Sequence, residues 1–291
     1  MDLAGTDKYR RVLSVGACRV SMREGKDRSW AHHPGAEVAD TKAMDFDGVN
    51  DYAYVGDTGI GYFGMNDNDH GAWSVSIWFK TTQSSSYQWL WSIYDHGHSD
   101  WARIFLGVSA SAYSVIYQMN SSPFDWDGGA DNGVGSTGSN PYIGQEASGS
   151  SNPVCDGAWH HVAVTCEGTS STGKVKLYVD GSLASTGTQA TAVVDPDRRH
   201  RVSGYDYNDT LNFDGRVAQL ALIKDELTAG EVSGLYNSGA GTDPTDDHTV
   251  YGYYRFGDHD DDTTSLVKDG GTGSNDMTAY NSPTIVTDSP A

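Results

Sequence analysis

The residues "WSVSIWFK" at 73–80 alternate with a period of two: Trp73, Val75, Ile77 and Phe79 share one side, while Ser74, Ser76 and Lys80 take the other. An α-helix would scatter that pattern around its axis, so the stretch predicts a pleated strand with one face buried. "KVKLYVDG" at 174–181 repeats it, with Val175, Leu177 and Val179 inside, Lys174 and Lys176 outside, and Asp180-Gly181 as a hairpin turn into "SLAST". "RVAQLALIK" at 216–224 is apolar on both faces, which predicts a central strand covered on each side. The 35 Gly, 17 Tyr and 8 Trp, without any alanine-rich tract, extend this reading to the whole chain: many short strands and glycine turns, an all-β fold. At 291 residues this is either one large domain with an appendage or two domains.

One segment breaks the pattern. "DELTAGEVSGLYNSG" at 225–239 sets Thr228 three residues ahead of Glu231 as a capping box, groups Val232, Leu235 and Tyr236 on one face, and stops at Asn237 and Gly239. This predicts one short helix lying on the sheets as a plug. Residues 127–152 are nearly all loop formers, the composition of a binding loop or an insertion.

Charge narrows the partners. The net charge is −20, and the acids are 33 Asp against 6 Glu, a bias that puts them in turns rather than helices. Such a body repels nucleic acid and anionic membranes and suits divalent cations or a neutral or cationic partner. No apolar stretch reaches the ~18–20 residues of a membrane span, and the start "MDLAGTDKYRR" lacks the pattern of an export signal, so a soluble chain with no membrane insertion and no secretory address is expected. Cys155 and Cys166 flank one apolar run that, fully extended, holds them roughly 25 Å apart, beyond disulfide reach. With Cys18 left over, reduced thiols are expected. Sequons at Asn120 and Asn208 carry meaning only in a chain secreted by a eukaryotic cell.

The charge is also uneven along the chain. Residues 1–42 hold 8 Lys/Arg and 6 Asp/Glu, whereas residues 43–291 hold 11 against 33. A weakly basic N-terminal arm therefore precedes an acidic body. The arm's one apolar run, "RRVLSVGACRVSM", could add a strand to a partner, which predicts an anchor that orders on binding.

The order of motifs carries a family resemblance. "DFDGVNDYAYV", "WSVSIWFK", "DGAWHHVAVTCEGTSSTGKVKLYVDGSLAST" and "NFDGRVAQLALIKDELTAGEVSGLYNSG" closely resemble, in that order, the laminin G-like branch of the concanavalin A-like lectin/glucanase superfamily, over most of residues 43–240. The resemblance implies a two-sheet antiparallel jelly-roll sandwich. "YGYYRFGDHDDDTTSLVKDGGTGSNDM" resembles the element that usually opens such a domain, yet here it follows the helix. A tail of that length is too short for a second domain, so it is expected to close the same sandwich in permuted order, with a strand at 250–256. The expected layout is an arm at 1–42 and one jelly roll at 43–291, the arm leaving the body near its C-terminus.

The resemblance also implies chemistry. Relatives often bind a structural calcium ion (Ca2+) at the sandwich rim, and "FDGVND" and "NFDGRV" resemble the strand ends involved, nominating Asp47, Asp51 and Asp214. Relatives often carry an acid two residues after the "GR", where this chain has Ala218. A second acidic stretch with Asp258, Asp260, Asp262 and Asp269 mimics a calcium loop but lacks its sixth-position glycine, so a solvated turn is expected. His96 and His98, beside Asp95 and Asp100, form only an isolated H-x-H pair. Sugar binding needs exposed aromatic faces with polar groups to orient hydroxyls, and the loop-rich stretches supply Tyr94, Trp101, Phe124 and Trp126 with Asp125.

Catalysis is not expected. Retaining glucanases of this superfamily carry two glutamates flanking an aspartate on one strand, whereas the body's glutamates, Glu146, Glu167, Glu226 and Glu231, stand in no alternating acid run. The leading expectation is a non-catalytic, lectin-like recognition or structural protein, held by residues 1–42 on a larger assembly. It resembles the lectin-like proteins on the outside of tailed-phage particles, in a capsid decoration or fibre-type role, which would place it on the virion surface, against a viral capsid and facing a cell-surface glycan. Two alternatives stay open: a polysaccharide-active hydrolase or lyase of the same fold, and a secreted adhesion domain.

Overall fold

The computed structural model describes residues 40–55, 71–84, 87–94, 101–109, 112–120, 134–135, 142–144, 154–168, 174–188, 199–204 and 211–290. Residues 1–39, with the expected arm and Cys18, lie outside the described residues.

In chain order the strands are β1 (Ala43–Asp47), β2 (Tyr52–Val55), β3 (Trp73–Lys80), β4 (Gln88–Tyr94), β5 (Trp101–Ser109), β6 (Ala112–Asn120), β7 (Val134–Gly135), β8 (Tyr142–Gly144) and β9 (Trp159–Cys166). They continue as β10 (Lys174–Val179), β11 (Ser182–Thr188), β12 (Arg199–Val202), β13 (Asp214–Ile223), β14 (Val250–Tyr254), β15 (Leu266–Val267), β16 (Met277–Tyr280) and β17 (Thr284–Val286), with helix α1 (Ala229–Tyr236) between β13 and β14. Two antiparallel sheets result. One runs β11-β10-β9-β3-β13-β1-β17, with β14 also on β13; the other runs β15-β16-β2-β12-β4-β5-β6-β8-β7. This is the expected jelly-roll sandwich. Strands β7 and β8 fall within the stretch read from sequence as loop.

The main core lies between the sheets. Phe46, Trp73, Val75, Ile77 and Phe79 of the eight-stranded sheet meet Leu90, Trp91, Ile93, Ile104 and Leu106 of the other in one buried cluster. Each fully buried Phe, Ile or Leu contributes about 1.5–3 kcal/mol. The expectation that β3 is half-buried needs correction, because Ser74 and Ser76 are buried too. A second apolar cluster explains it: Val232 and Leu235 of α1, with Leu227, cover Ala163, Tyr178, Ala221 and Ile223 on the outer side of the sheet. Ser74 makes its burial tolerable by bonding the chain that enters the helix, donating to Asp225 O (2.8 Å) and accepting from Leu227 N (3.0 Å). The helix itself has the predicted capping box of Thr228 and Glu231 and a left-handed Asn237 cap.

The C-terminal segment contributes to both sheets, β14 and β17 to one and β15 and β16 to the other. Strands β1 and β14 lie end to end along the same flank of β13, with Met44 opposite Val217 and Tyr254 opposite Leu220. The predicted closing strand ends at Tyr254, while β16 pairs with β2 and β17 with β1, two additions the sequence reading lacked. Between the two half-strands sits Gln219, buried and left-handed (φ 48°). Its side-chain amide donates to the Asp40 carboxylate, which also takes Nε (2.8 Å) and Nη2 of Arg255. Thr41 and Lys42 donate backbone N–H groups to Asp258 (2.8 and 2.7 Å), and Ser289 Oγ donates to Asp40 O. The body thus includes Asp40–Lys42, and the chain enters it beside its own C-terminal residues. Cys155 and Cys166 are buried and not joined in a disulfide, and burial pushes their thiols up to about 12 and about 11.

Candidate functional site

The two motif aspartates meet across a strand pair. Asp47 ends β1 and Asp214 opens β13, directly opposite each other. Asp47 Oδ1 accepts the N–H groups of Val49 (2.8 Å), Asn50 (3.2 Å) and Asp51 (3.4 Å), and Asp51 Oδ2 accepts that of Asp47 (3.2 Å). Burial works against the Asp47 charge, but these donors outweigh it and lower its pKa. Asp51 and Asp214 are raised, by burial first and then by neighbouring carboxylates, Asp47 on Asp51 and Asp45 and Asp47 on Asp214. The motif glycines allow this closeness. A Cβ on Gly48 (φ +70°) would stand 2.6 Å from Asp214 Cβ, and one on Gly215 (φ +149°) 2.3 Å from Lys80 O.

Whether the rim suits calcium depends on which of its oxygens are uncommitted. Its oxygens are the hard donors a calcium ion takes, and Asp51 Oδ1 is buried without a hydrogen-bond partner. Against that, Asp47 Oδ1 and Asp51 Oδ2 are spent on the turn's own N–H groups, and position 218 is a buried alanine. Among the described residues no three His, Cys, Asp or Glu side chains stand together as a metal-ligand group. The rim as folded does not fit the full ligand set.

The second acidic stretch is a set of backbone staples. Asp262 accepts from Gly257 N (2.7 Å), His259 N (3.3 Å) and Lys268 N (2.6 Å), and Asp269 from Tyr253 N, Gly271 N and Asn275 N (2.9, 2.7 and 2.9 Å). Asp258 holds Thr41 and Lys42, and Asp260 is exposed. These carboxylates do the organising that a metal does in a calcium loop.

Two histidines that sequence reasoning passed over carry notable contacts. Ser76 Oγ and His161 Nε2 stand 2.8 Å apart, the spacing of a nucleophile and its base. His161 is fully buried, with Trp78 and Tyr236 packed against it (ring centroids 5.1 and 6.2 Å), and burial lowers its pKa to about 4. A substrate has no access to it, so the pair is a core contact. His160 bridges two turns through Asp180 (2.9 Å) and Asp156 (3.2 Å). Burial opposes its charge, but the two carboxylates prevail and raise its pKa.

The exposed aromatic chemistry lies on the outer face of the nine-stranded sheet. On β2, Ala53 and Val55 point into the core, which turns Tyr52 and Tyr54 outward; on β16, Met277 and Ala279 point in and Tyr280 outward. Because Tyr280 pairs with Tyr52, the three rings form a palisade. Tyr52–Tyr280 centroids are 5.0 Å apart at 12°, and Tyr54–Tyr280 5.3 Å at 7°, with a hydroxyl–hydroxyl hydrogen bond of 3.2 Å. The Arg201 guanidinium lies 3.8 Å from the Tyr52 ring centroid, and its Nε donates to Ser203 O (2.8 Å).

Register extends this face across the sheet. One row of paired positions reads Thr278, Tyr54, Arg201, Ser92, Arg103, Gln118 and Tyr142. Beside it run Arg199, Tyr94, Trp101 and Asn120. Of the nominated sugar-binding residues, Tyr94 and Trp101 are thus brought together as direct cross-strand partners. Phe124, Asp125 and Trp126 lie outside the described residues, as do Asp95, His96, His98, Asp100, Glu146 and Asn208. The tyrosine palisade was missed. "DYAYV" and "MTAY" show the outward alternation, but nothing local announces that residue 280 pairs with residue 52.

No helix among the described residues is long and apolar enough to cross a membrane. Among curated proteins none is similar to the chain in sequence. A solved structure of a carbohydrate-binding candidate from Bacteroides ovatus superposes with a TM-score of 0.57 at 17% identity, covering 87% of this chain and 62% of that one. The chain therefore spans less than two thirds of that relative, and at this identity the likeness is one of fold. A heptameric SAP-like pentraxin from Limulus polyphemus gives a TM-score of 0.44 at 13% identity, covering 67% of this chain and 81% of that one. Domains LG4-5 of the mouse laminin alpha1 chain give 0.42 at 14%, covering 76% and 48%. The laminin G domain family of the concanavalin A-like lectin/glucanases superfamily matches residues 47–233. With nearly two thirds of its length matched and both sheets in place, the chain belongs to that family.

Proposed function

We propose that this protein is a non-catalytic glycan-recognition module, carried on a larger assembly by the residues ahead of Asp40. The observation that carries the reading is the palisade of Tyr52, Tyr54 and Tyr280: three near-parallel rings and their hydroxyls on an outer sheet face, Tyr280 being 36% exposed. Apolar ring surface beside fixed hydroxyls is what stacking on a pyranose and orienting its hydroxyls require.

The described glutamates support a role without catalysis. Glu226 pairs with Lys176 (2.7 Å), Glu231 caps α1, and Glu167 accepts Lys174 N (3.4 Å). The basic arm against the acidic body, with the chain entering at one seam, supports display on an assembly such as the outside of a tailed-phage particle. Binding to a glycan array, followed by titration of the hits, tests the recognition role. Tyr54→Ala and Tyr280→Ala should each weaken binding about tenfold, or ~1.4 kcal/mol. New reducing ends from a bound polysaccharide, or wild-type affinity in both variants, would overturn the reading.

A further inference from the structure

One short covalent path joins the chain ahead of Asp40 to the tyrosine palisade: residues 40–42, β1, the turn at 48–51, and β2 with Tyr52 and Tyr54. Tension between an N-terminal attachment and a ligand on those rings runs through this stretch first. The opening residues of a domain are poorly ordered unless tied down, and here both ends of the path are tied to distant parts of the chain. At the first end the Asp40 carboxylate takes Arg255 and Gln219, and Asp40 O accepts from Ser289 Oγ. Asp258 takes Thr41 N (2.8 Å), Thr41 Oγ1 (3.1 Å) and Lys42 N (2.7 Å), while Lys42 Nζ donates to Gly257 O (3.0 Å). At the second end Asn212 Nδ2 donates to Val49 O (2.6 Å) and Asn281 Nδ2 to Asn50 O (2.7 Å).

The partners at the first end are placed to share a load. Arg255, Gly257 and Asp258 follow directly on β14, which is paired to β13 beyond Gln219, and Ser289 follows β17. A pull at Asp40 therefore passes sideways into β14 and β17 and does not fall on the β1 ladder alone. That ladder runs on both edges, to β13 from Met44 to Asp47 and to β17 from Ala43 to Asp45. Its bonds lie across the strands, so a strand lifted by its end loses them one at a time, whereas a strand held at its end must break them together. The bonds to Asp40 and Asp258 are charge-assisted, roughly twice as strong as neutral ones. Burial of the Asp40 charge adds a desolvation cost that an ordinary strand end does not carry.

We infer that residues 40–42, held by Arg255, Asp258 and Ser289, form a load clamp that keeps β1 from peeling when the chain is pulled between its N-terminal side and the tyrosine face. This rests on the display and glycan-recognition readings and adds how force passes between the two.

The test is constant-force pulling of the full chain between an N-terminal tag and a handle at Thr278→Cys, an exposed position paired with Tyr54. Cys18→Ser in every chain leaves the handle as the reactive thiol, since Cys155 and Cys166 are buried. Asp258→Ala should let β1 detach at least about tenfold faster under load, as a separate step before the main unfolding, and Ser289→Ala should act in the same direction. Unfolding in urea pulls on neither end, so the acceleration by Asp258→Ala should there be at least about threefold smaller. A merely structural role would give the same acceleration with and without load. That result, or an unchanged rate under load in Asp258→Ala, would overturn the clamp. Neither would touch the display and glycan readings, which stand or fall on incorporation into the assembly and on array binding.

Discussion

Single residues here work mostly as hydrogen-bond acceptors. Many of the Asp residues have such a use: Asp47, Asp258, Asp262 and Asp269 each collect two or three backbone N–H groups, Asp47 within its own turn and Asp258 from the distant Thr41 and Lys42. The carboxylate of Asp40 is the buried exception. Its side chain is 1% exposed against Arg255, so Arg255→Met strands a charge in the interior and should cost about 3–5 kcal/mol in urea unfolding. A loss below about 1 kcal/mol would mean the carboxylate is satisfied without Arg255. A pH effect belongs to this scale as well. His160 has a raised pKa in the fold, so its contribution is complete below its unfolded value of about 6.5 and disappears as pH climbs through the folded one. The melting temperature of His160→Asn, relative to wild type, should therefore converge on it between neutral and mildly alkaline pH. A constant difference across that window would contradict the bridge to Asp156 and Asp180.

At the scale of elements, legibility followed locality. Strand β3, the β10–β11 hairpin, β13 and the capping box of α1 were readable because their patterns lie within one stretch. What the alternation in "WSVSIWFK" could not convey is that its serine face is also covered, since the cover comes from Val232 and Leu235, more than 150 positions later. The candidate site failed in the same way. Tyr94 and Trp101 were named for their composition, and their pairing followed from the β4–β5 register. Tyr52 and Tyr54 belong to a motif whose acids resemble a calcium-binding strand end, and their third ring arrives on β16 from the far end of the chain. The Tyr54→Ala and Tyr280→Ala comparison is thus a test of two elements meeting, because either loss dismantles the same palisade.

For the whole molecule, the seam where β1 and β14 share the flank of β13 joins the two ends of the body. There Asp40, the first described residue, accepts a hydrogen bond from Ser289 near the other end of the chain. Removing residues 1–36 keeps the Asp40–Arg255 pair and should leave the melting temperature within about 2 °C, the change expected for less than about 0.5 kcal/mol. The proposed display role predicts that the truncated body still binds glycan and no longer joins its assembly; normal incorporation would refute the anchor. By itself, the sequence determined an all-β sandwich with one capped helix, because period-two alternation, turn residues and a capping box are local and act wherever the chain goes. Only the tertiary structure decided which side chains share a face. It showed that several of the described acids staple turns, that three distant tyrosines stand in parallel, and that the nine strands of one sheet of an acidic protein contain no Asp or Glu. Those outcomes depend on register and strand order, which are set by long-range burial and which no local pattern encodes.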